Sequence, residues 1–181
     1  MIKRILQILL LTVLVAGISA GQDKPAKETV FLRATIETYP EAERRPILDY
    51  LDGAKAAADK VVLNFAAERD VELDGDFSRV ARDRGQKIFV REYANMVRKV
   101  YGSVSSYEFR GQALEASAEN PDVKDLQRAK SALYYAIRTA KRPDGELFLI
   151  IRTIRIGNTH AASFLGITDY RRNVPSWLHE E

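Results

Sequence analysis

The chain has 181 residues, with 28 Lys and Arg against 25 Asp and Glu, and no cysteine. That length suits one domain with a packed core, and without a thiol neither a disulfide nor a cysteine nucleophile is available. The formal charge of +3 falls to 3 − 2 = +1 once Lys3 and Arg4 of the first segment are set aside, so the basic pI of about 9.1 is no nucleic-acid footprint.

The first residues, "MIKRILQILLLTVLVAGISA", have the layout of a secretory signal. Lys3 and Arg4 form a positive start, Ile5 to Val15 an apolar core broken only by Gln7 and Thr12, and small residues lead to Ala20. Cleavage is expected after Ala20, because the apolar run falls short of the ~20 residues that span a bilayer. The protein is thus expected to be exported, to a periplasm or outside the cell. Residues 21–45 are read as a leader and a short first element. "GQDKPAKE" is polar, and "ETVFLRATIETYP" suits either a strand or a short helix. Residues 46–181 are expected to form a single α+β domain.

That domain opens with a predicted helix from Pro46 to about Glu68. Ile47, Leu51, Ala54, Ala58, Val61, Val62 and Phe65 recur at helical spacing, and Gly53 is its weak point. In "DVELDGD" that follows, Asp74-Gly75 signals a turn and Asp76 a cap. A second long helix is expected from Gln86 to Val100, with Phe89, Tyr93, Met96, Val97 and Val100 as its apolar stripe and Gly102 as its stop. Glu37–Asp76 carries eleven acids and five bases, and Arg79–Lys99 seven bases and two acids, so the two segments could face each other or give the folded domain a dipole.

After Gly102 the period changes to two. Tyr107, Phe109, Gly111 and Ala113 alternate with Glu108, Arg110, Gln112 and Leu114, as in a half-buried strand. "KSALYYAIRTA" and "ELFLIIRTIRI" read as two more strands joined by a turn at "KRPDG". Gly157-Asn158 turns the chain into a fourth, "THAASFLGITDY". In the tail, Val174, Trp177 and Leu178 could pin the end to the body. Two long helices followed by three or four hairpin-connected strands predict an α+β fold, with helices on one face of a curved antiparallel sheet.

This order, the helix-to-strand junction "VRKVYGSVSSYEF" and the hairpin around "RPDG" resemble the nuclear transport factor 2-like superfamily, the cystatin-like cone folds, over about Pro46 to Tyr170. The resemblance implies a cone whose open end holds an apolar pocket. Some members are isomerases or dehydratases, and many are binding or dimerisation modules. No family motif assigns a catalytic residue here. A periplasmic lipid carrier of the toluene-tolerance type is a related possibility, although the sole tryptophan, Trp177, lies in the tail rather than in the late strands.

The sequence excludes more chemistry than it offers. Two histidines, His160 and His179, without HExxH spacing or a full calcium loop predict no metal. No G-x-S-x-G, Walker or G-x-G-x-x-G pattern occurs, so no nucleotide and no cofactor is expected. An acid–base enzyme would have to draw on His160, Asp169 or Glu68. A basic stripe, Arg84, Lys87, Arg91 and Arg98, could touch lipid headgroups at a membrane surface or an acidic partner. Arg110, Arg138 and Arg152, on three successive strands, would bind an anion if their registers converged. Otherwise each must reach water or pair with an acid such as Glu68, Asp70, Glu108 or Asp169. Arg152 stands out, since it shares a strand face with Phe148, Ile150, Ile154 and Ile156. Tyr107, Tyr134 and Tyr135 could line a cavity. The leading expectation is an exported domain that binds a small apolar or anionic molecule or a protein partner. A homodimer formed through the sheet is one variant.

Overall fold

The computed structural model describes residues 39–77, 89–115, 126–127, 129–169 and 174–175. The fold is α+β: helices pack on one face of a four-stranded antiparallel sheet. No helix among the described residues is long and apolar enough to cross a membrane.

Helix α1, Glu41–Ala66, is 26 residues long. It begins a turn before Pro46, because the amides of Glu43 and Arg44 both find the Pro40 carbonyl at 2.9 Å. Glu41 and Glu43 also place negative charge at the positive end of the helix dipole. The expected stripe is buried, with Tyr50 and Asn64 added to it. Its end is a Schellman closure: Glu68 adopts φ 58°, the Glu68 amide reaches Phe65 O at 3.3 Å, and the Arg69 amide reaches Asn64 O at 2.9 Å.

Helix α2, Asp70–Gly75, is short and Asp76 follows it, while the residues beyond Phe77, where Asp76 is expected to cap a turn, lie outside the described residues. Helix α3, Phe89–Tyr101, is 13 residues, so the described residues hold one long helix and one of ordinary length where two long ones are expected. Its buried stripe is Val90, Ala94 and Val97, with Tyr93 and Tyr101 packed beside it. Val100 is 56% exposed, which rotates the apolar face about one position from the predicted stripe.

The strands are β1, Val104–Glu115; β2, Lys130–Thr139; β3, Arg142–Ile156; and β4, Thr159–Thr168. Their order in the sheet follows the chain, β1-β2-β3-β4, as a meander. Two local expectations are corrected. In β1 the register slips between Phe109 and Gly111, so Arg110 is an extra residue. Tyr107 and Phe109 thus share the helix-facing side with Gln112 and Leu114, not with Gly111 and Ala113. At the β2–β3 hairpin, Thr139 pairs with Arg142 and Ile137 with Leu147. The turn is therefore Ala140–Lys141, and Pro143-Asp144-Gly145 lies in a bulge of β3. A proline lacking N–H and a glycine are well placed there, where ladder bonds are already broken.

The main core fills the space between helices and sheet. Ala58, Val61, Val62 and Phe65 of α1 and Val90, Ala94 and Val97 of α3 meet Leu133, Tyr135, Ile137, Leu147, Leu149 and Ile151 of the middle strands. Lower along α1, Ile47, Tyr50, Leu51 and Ala54 form a second cluster with Leu114 and Ala129. The other sheet face is also closed in part, where Ala113, Ala132, Tyr134 and Phe148 pack with Val174 of the tail. Trp177 and Leu178 lie outside the described residues, as does the segment 28–38.

Candidate functional site

Helix α1 runs antiparallel to β1 and is pinned to it at two points, with a third contact just beyond the end of the helix and just before the start of the strand. Gln112 Nε2 donates to Leu51 O at 3.0 Å, Lys55 Nζ lies 4.7 Å from the Phe109 ring centroid, and Ser103 Oγ donates to Glu68 Oε1 at 2.6 Å. Between these points, one flank of α1 and the inner side of β1 form an amphipathic strip. Lys55 and Asp59, one turn apart, form a 2.6 Å ion pair. Tyr135 donates its hydroxyl to Asp59 Oδ1 at 2.7 Å, and its ring meets Phe109 edge-on at 5.4 Å. Burial, reinforced by the Asp59 carboxylate, pushes the Tyr135 phenol well above its ordinary pKa, so it remains a proton donor. Tyr107, Phe109 and Leu63 present 44%, 36% and 48% of their surface to solvent here, which sets the strip apart from the closed core.

The two edges of the sheet are treated differently. On β4, the Ile167 amide donates to Tyr93 Oη at 2.8 Å and the Ala162 amide to Asp76 O at 3.2 Å, while Phe77 bridges Ala162. On β1, Ser105 to Arg110 are all exposed, and among the described residues no backbone hydrogen bond meets their outer side. An uncovered edge is a template for another strand.

On the β4 side of α1, His160 sits in a notch. A Cβ on Gly53 would lie 2.5 Å from His160 Nδ1 and 2.8 Å from Cε1, so only glycine lets the imidazole approach the helix. The Tyr50 ring meets it edge-on at 4.7 Å. No partner among the described residues reaches its buried Nε2. Burial first, and then the Arg155 cation, lowers the His160 pKa, so the ring is held neutral. Tyr50 is tied off by donating to Ala129 O at 2.8 Å.

The three strand arginines do not converge. Arg152 is opposite Ala132 of β2, whereas Arg138 lies six residues further along that strand, about 20 Å away. Arg110 is at the β1 bulge, 3.7 Å from Glu108. Arg152 pairs through Nε with Glu115 Oε1 at 3.1 Å and covers the Phe164 ring at 5.4 Å, on a half-exposed surface. It is thus an arginine that spreads its stem over apolar surface and ends on an acid. Nor do the acid–base candidates meet. Asp169 accepts from Arg142 at 2.9 Å, and Glu68 holds Ser103. Among the described residues no group of three or more His, Asp or Glu is placed to hold a metal ion.

The basic stripe also divides. Arg84 and Lys87 lie outside the described residues, and Arg91 is exposed. Arg98 turns inward: its two terminal nitrogens grip Asp70 at 2.6 and 3.1 Å beneath the Phe65 ring, with 12% of its side chain exposed. That pair joins the acidic and basic segments. Tyr107 and Tyr135 are therefore the sequence candidates that the fold brings to one place. Lys55, Asp59 and Phe109 were missed there. Their signal was the Lys55–Asp59 spacing of one helical turn on the flank of the apolar stripe. Comparison with protein-family models, with curated proteins and with solved structures gives no match.

Proposed function

We propose that this is an exported recognition domain without catalytic chemistry, and that it binds a polypeptide partner along the β1 edge and the adjoining flank of α1. The observation that carries this reading is the contrast between the two sheet edges. The Tyr93 hydroxyl, the Asp76 carbonyl and a bridge occupy β4, while among the described residues no backbone hydrogen bond meets the outer side of residues 105–110, beside two exposed aromatic rings. Edge backbone supplies main-chain hydrogen bonds to an extended partner, and the Tyr107–Phe109 strip with Lys55 and Asp59 supplies side-chain discrimination. Export is supported by the signal-like residues 1–20, and the cone-type resemblance by helices followed by an antiparallel meander. A small-ligand pocket has less support, since Leu133, Tyr135, Ile137, Leu147, Leu149 and Ile151, which would line a cone interior, are at most 1% exposed and packed against helices.

The test is site-specific photocrosslinking in the native host. A crosslinker at Tyr107 is expected to trap a polypeptide, with the product lost on Phe109→Asp. A crosslinker at exposed Glu72 of α2 is the control. Equal yields from both positions, or none from Tyr107, would refute the reading.

A further inference from the structure

We infer that residues 176–181 dock on the outer face of the sheet, with the Trp177 indole against the Arg152 guanidinium and the Phe164 ring. These residues lie outside the described ones, but Val174, just before them, does not. It is 7% exposed and packs on the outer face with Ala113, Ala132, Tyr134 and Phe148, beside Ile150. The chain is therefore already seated on this face where the segment begins. Next to that seat, Phe164 and Ile156 are each 41% exposed, and Arg152 lies over the Phe164 ring at 5.4 Å with 45% of its side chain exposed. The ring lies back over Gly166, where a Cβ would stand 2.7 Å from Phe164 Cε1. It thus runs along the sheet instead of standing off it.

Reach, shape and charge all fit this segment. Ala132, which packs with Val174, is directly opposite Arg152, and Arg152 is directly opposite Phe164. Neighbouring strands lie about 4.8 Å apart, so Phe164 on β4 is about 10 Å from β2. The extended step from Val174 to Trp177 spans about 10 Å as well. Glu115 engages only Nε of Arg152, and an indole is the best ring for the rest of the guanidinium plane. Leu178 follows, for Ile154 and Ile156, the next apolar residues of β3 on this face. Glu180 and Glu181 then bring acids to the end of the face where Lys130, opposite Glu115 and Ile154, stands near Arg152. Docked, the segment covers the apolar part of the outer face. Released, it leaves Phe164, Ile154 and Ile156 as an apolar surface bordered by two cations. The fold thus holds a strap on the side of the sheet opposite α1, separate from the Tyr107–Phe109 strip.

The test is the fluorescence of Trp177, the sole tryptophan, in the purified chain, with circular dichroism confirming that each variant is folded. In the folded parent chain the emission is expected to be blue-shifted, and acrylamide quenching at least about threefold weaker than in urea, as for an indole held against apolar surface. Arg152→Gln and Phe164→Ser should each shift the emission to the red and raise the quenching. Arg91→Gln, on α3, should change neither. A Trp177 as accessible in the folded chain as in urea overturns the inference. So does one that is shielded yet indifferent to Arg152→Gln and Phe164→Ser, since it is then held elsewhere. Shielding that disappears on dilution while the chain stays folded assigns the indole to a second copy and overturns docking within one chain.

Discussion

Replacing Gly53 with alanine is expected to destabilise the protein, although the same change inside an ordinary helix stabilises it. Alanine has a helix propensity about 1 kcal/mol better than glycine. Here the added Cβ would stand 2.5 Å from His160 Nδ1 and 2.8 Å from Cε1, each about 1 Å inside normal contact. The imidazole cannot simply swing aside, because the Tyr50 ring lies against it at 4.7 Å. Overpacking of this kind costs about 1–3 kcal/mol, which leaves a net loss of roughly 1 kcal/mol after the propensity gain. Combining the change with His160→Ala removes the obstacle, and there Gly53→Ala should stabilise by up to about 1 kcal/mol. The coupling between the two positions is then about 2 kcal/mol, measurable by urea denaturation of the four proteins in the cycle. The reasoning is refuted if Gly53→Ala stabilises the parent chain, or if its effect is the same with and without His160.

Three further outcomes follow from the same contacts. Asp70→Asn should cost about 2 kcal/mol by urea denaturation, because it leaves the nearly buried Arg98 guanidinium without its carboxylate. Ser131 and Thr153 share a fully buried 2.9 Å hydrogen bond across β2 and β3. Thr153→Val alone should cost about 1–2 kcal/mol, while adding Ser131→Ala should recover part of that loss, because no orphaned hydroxyl remains. His160 is held neutral, with a folded pKa below the ordinary value of 6.5. Its contribution to stability is fully present above 6.5 and is lost as pH falls from there through the folded value. Urea midpoints of the parent chain should thus decline over that range, and His160→Gln should flatten the decline.

The α+β class, the α1 stripe, the strand order and the Gly157 turn were legible in the sequence because each rests on local periodicity or turn chemistry. The misreadings share a different cause. Alternation along "YEFRGQAL" continues unbroken through Arg110, yet the register with β2 inserts one residue there and reverses the faces beyond it. "RPDG" has the composition of a turn, but the pairing of Thr139 with Arg142 puts the turn at Ala140–Lys141 and leaves Pro143 to Gly145 in a bulge. Both are decided by the neighbouring strand. Gly53 was visible as a weak point in a helix. Its reason, an imidazole 107 residues later, is tertiary. At the candidate site, Tyr107 and Tyr135 were identifiable as strand aromatics, whereas Lys55 and Asp59 acquire meaning only because α1 lies antiparallel to β1.

Charge on an edge strand is ordinarily a device against association, and bulges serve the same end. β1 carries both, with Glu108, Arg110 and two register shifts. Among the described residues, β1 therefore meets an approaching strand with a regular stretch of only Ser106 to Phe109. A partner that pairs there gains few backbone hydrogen bonds, so the exposed Tyr107 and Phe109 rings must supply much of the discrimination.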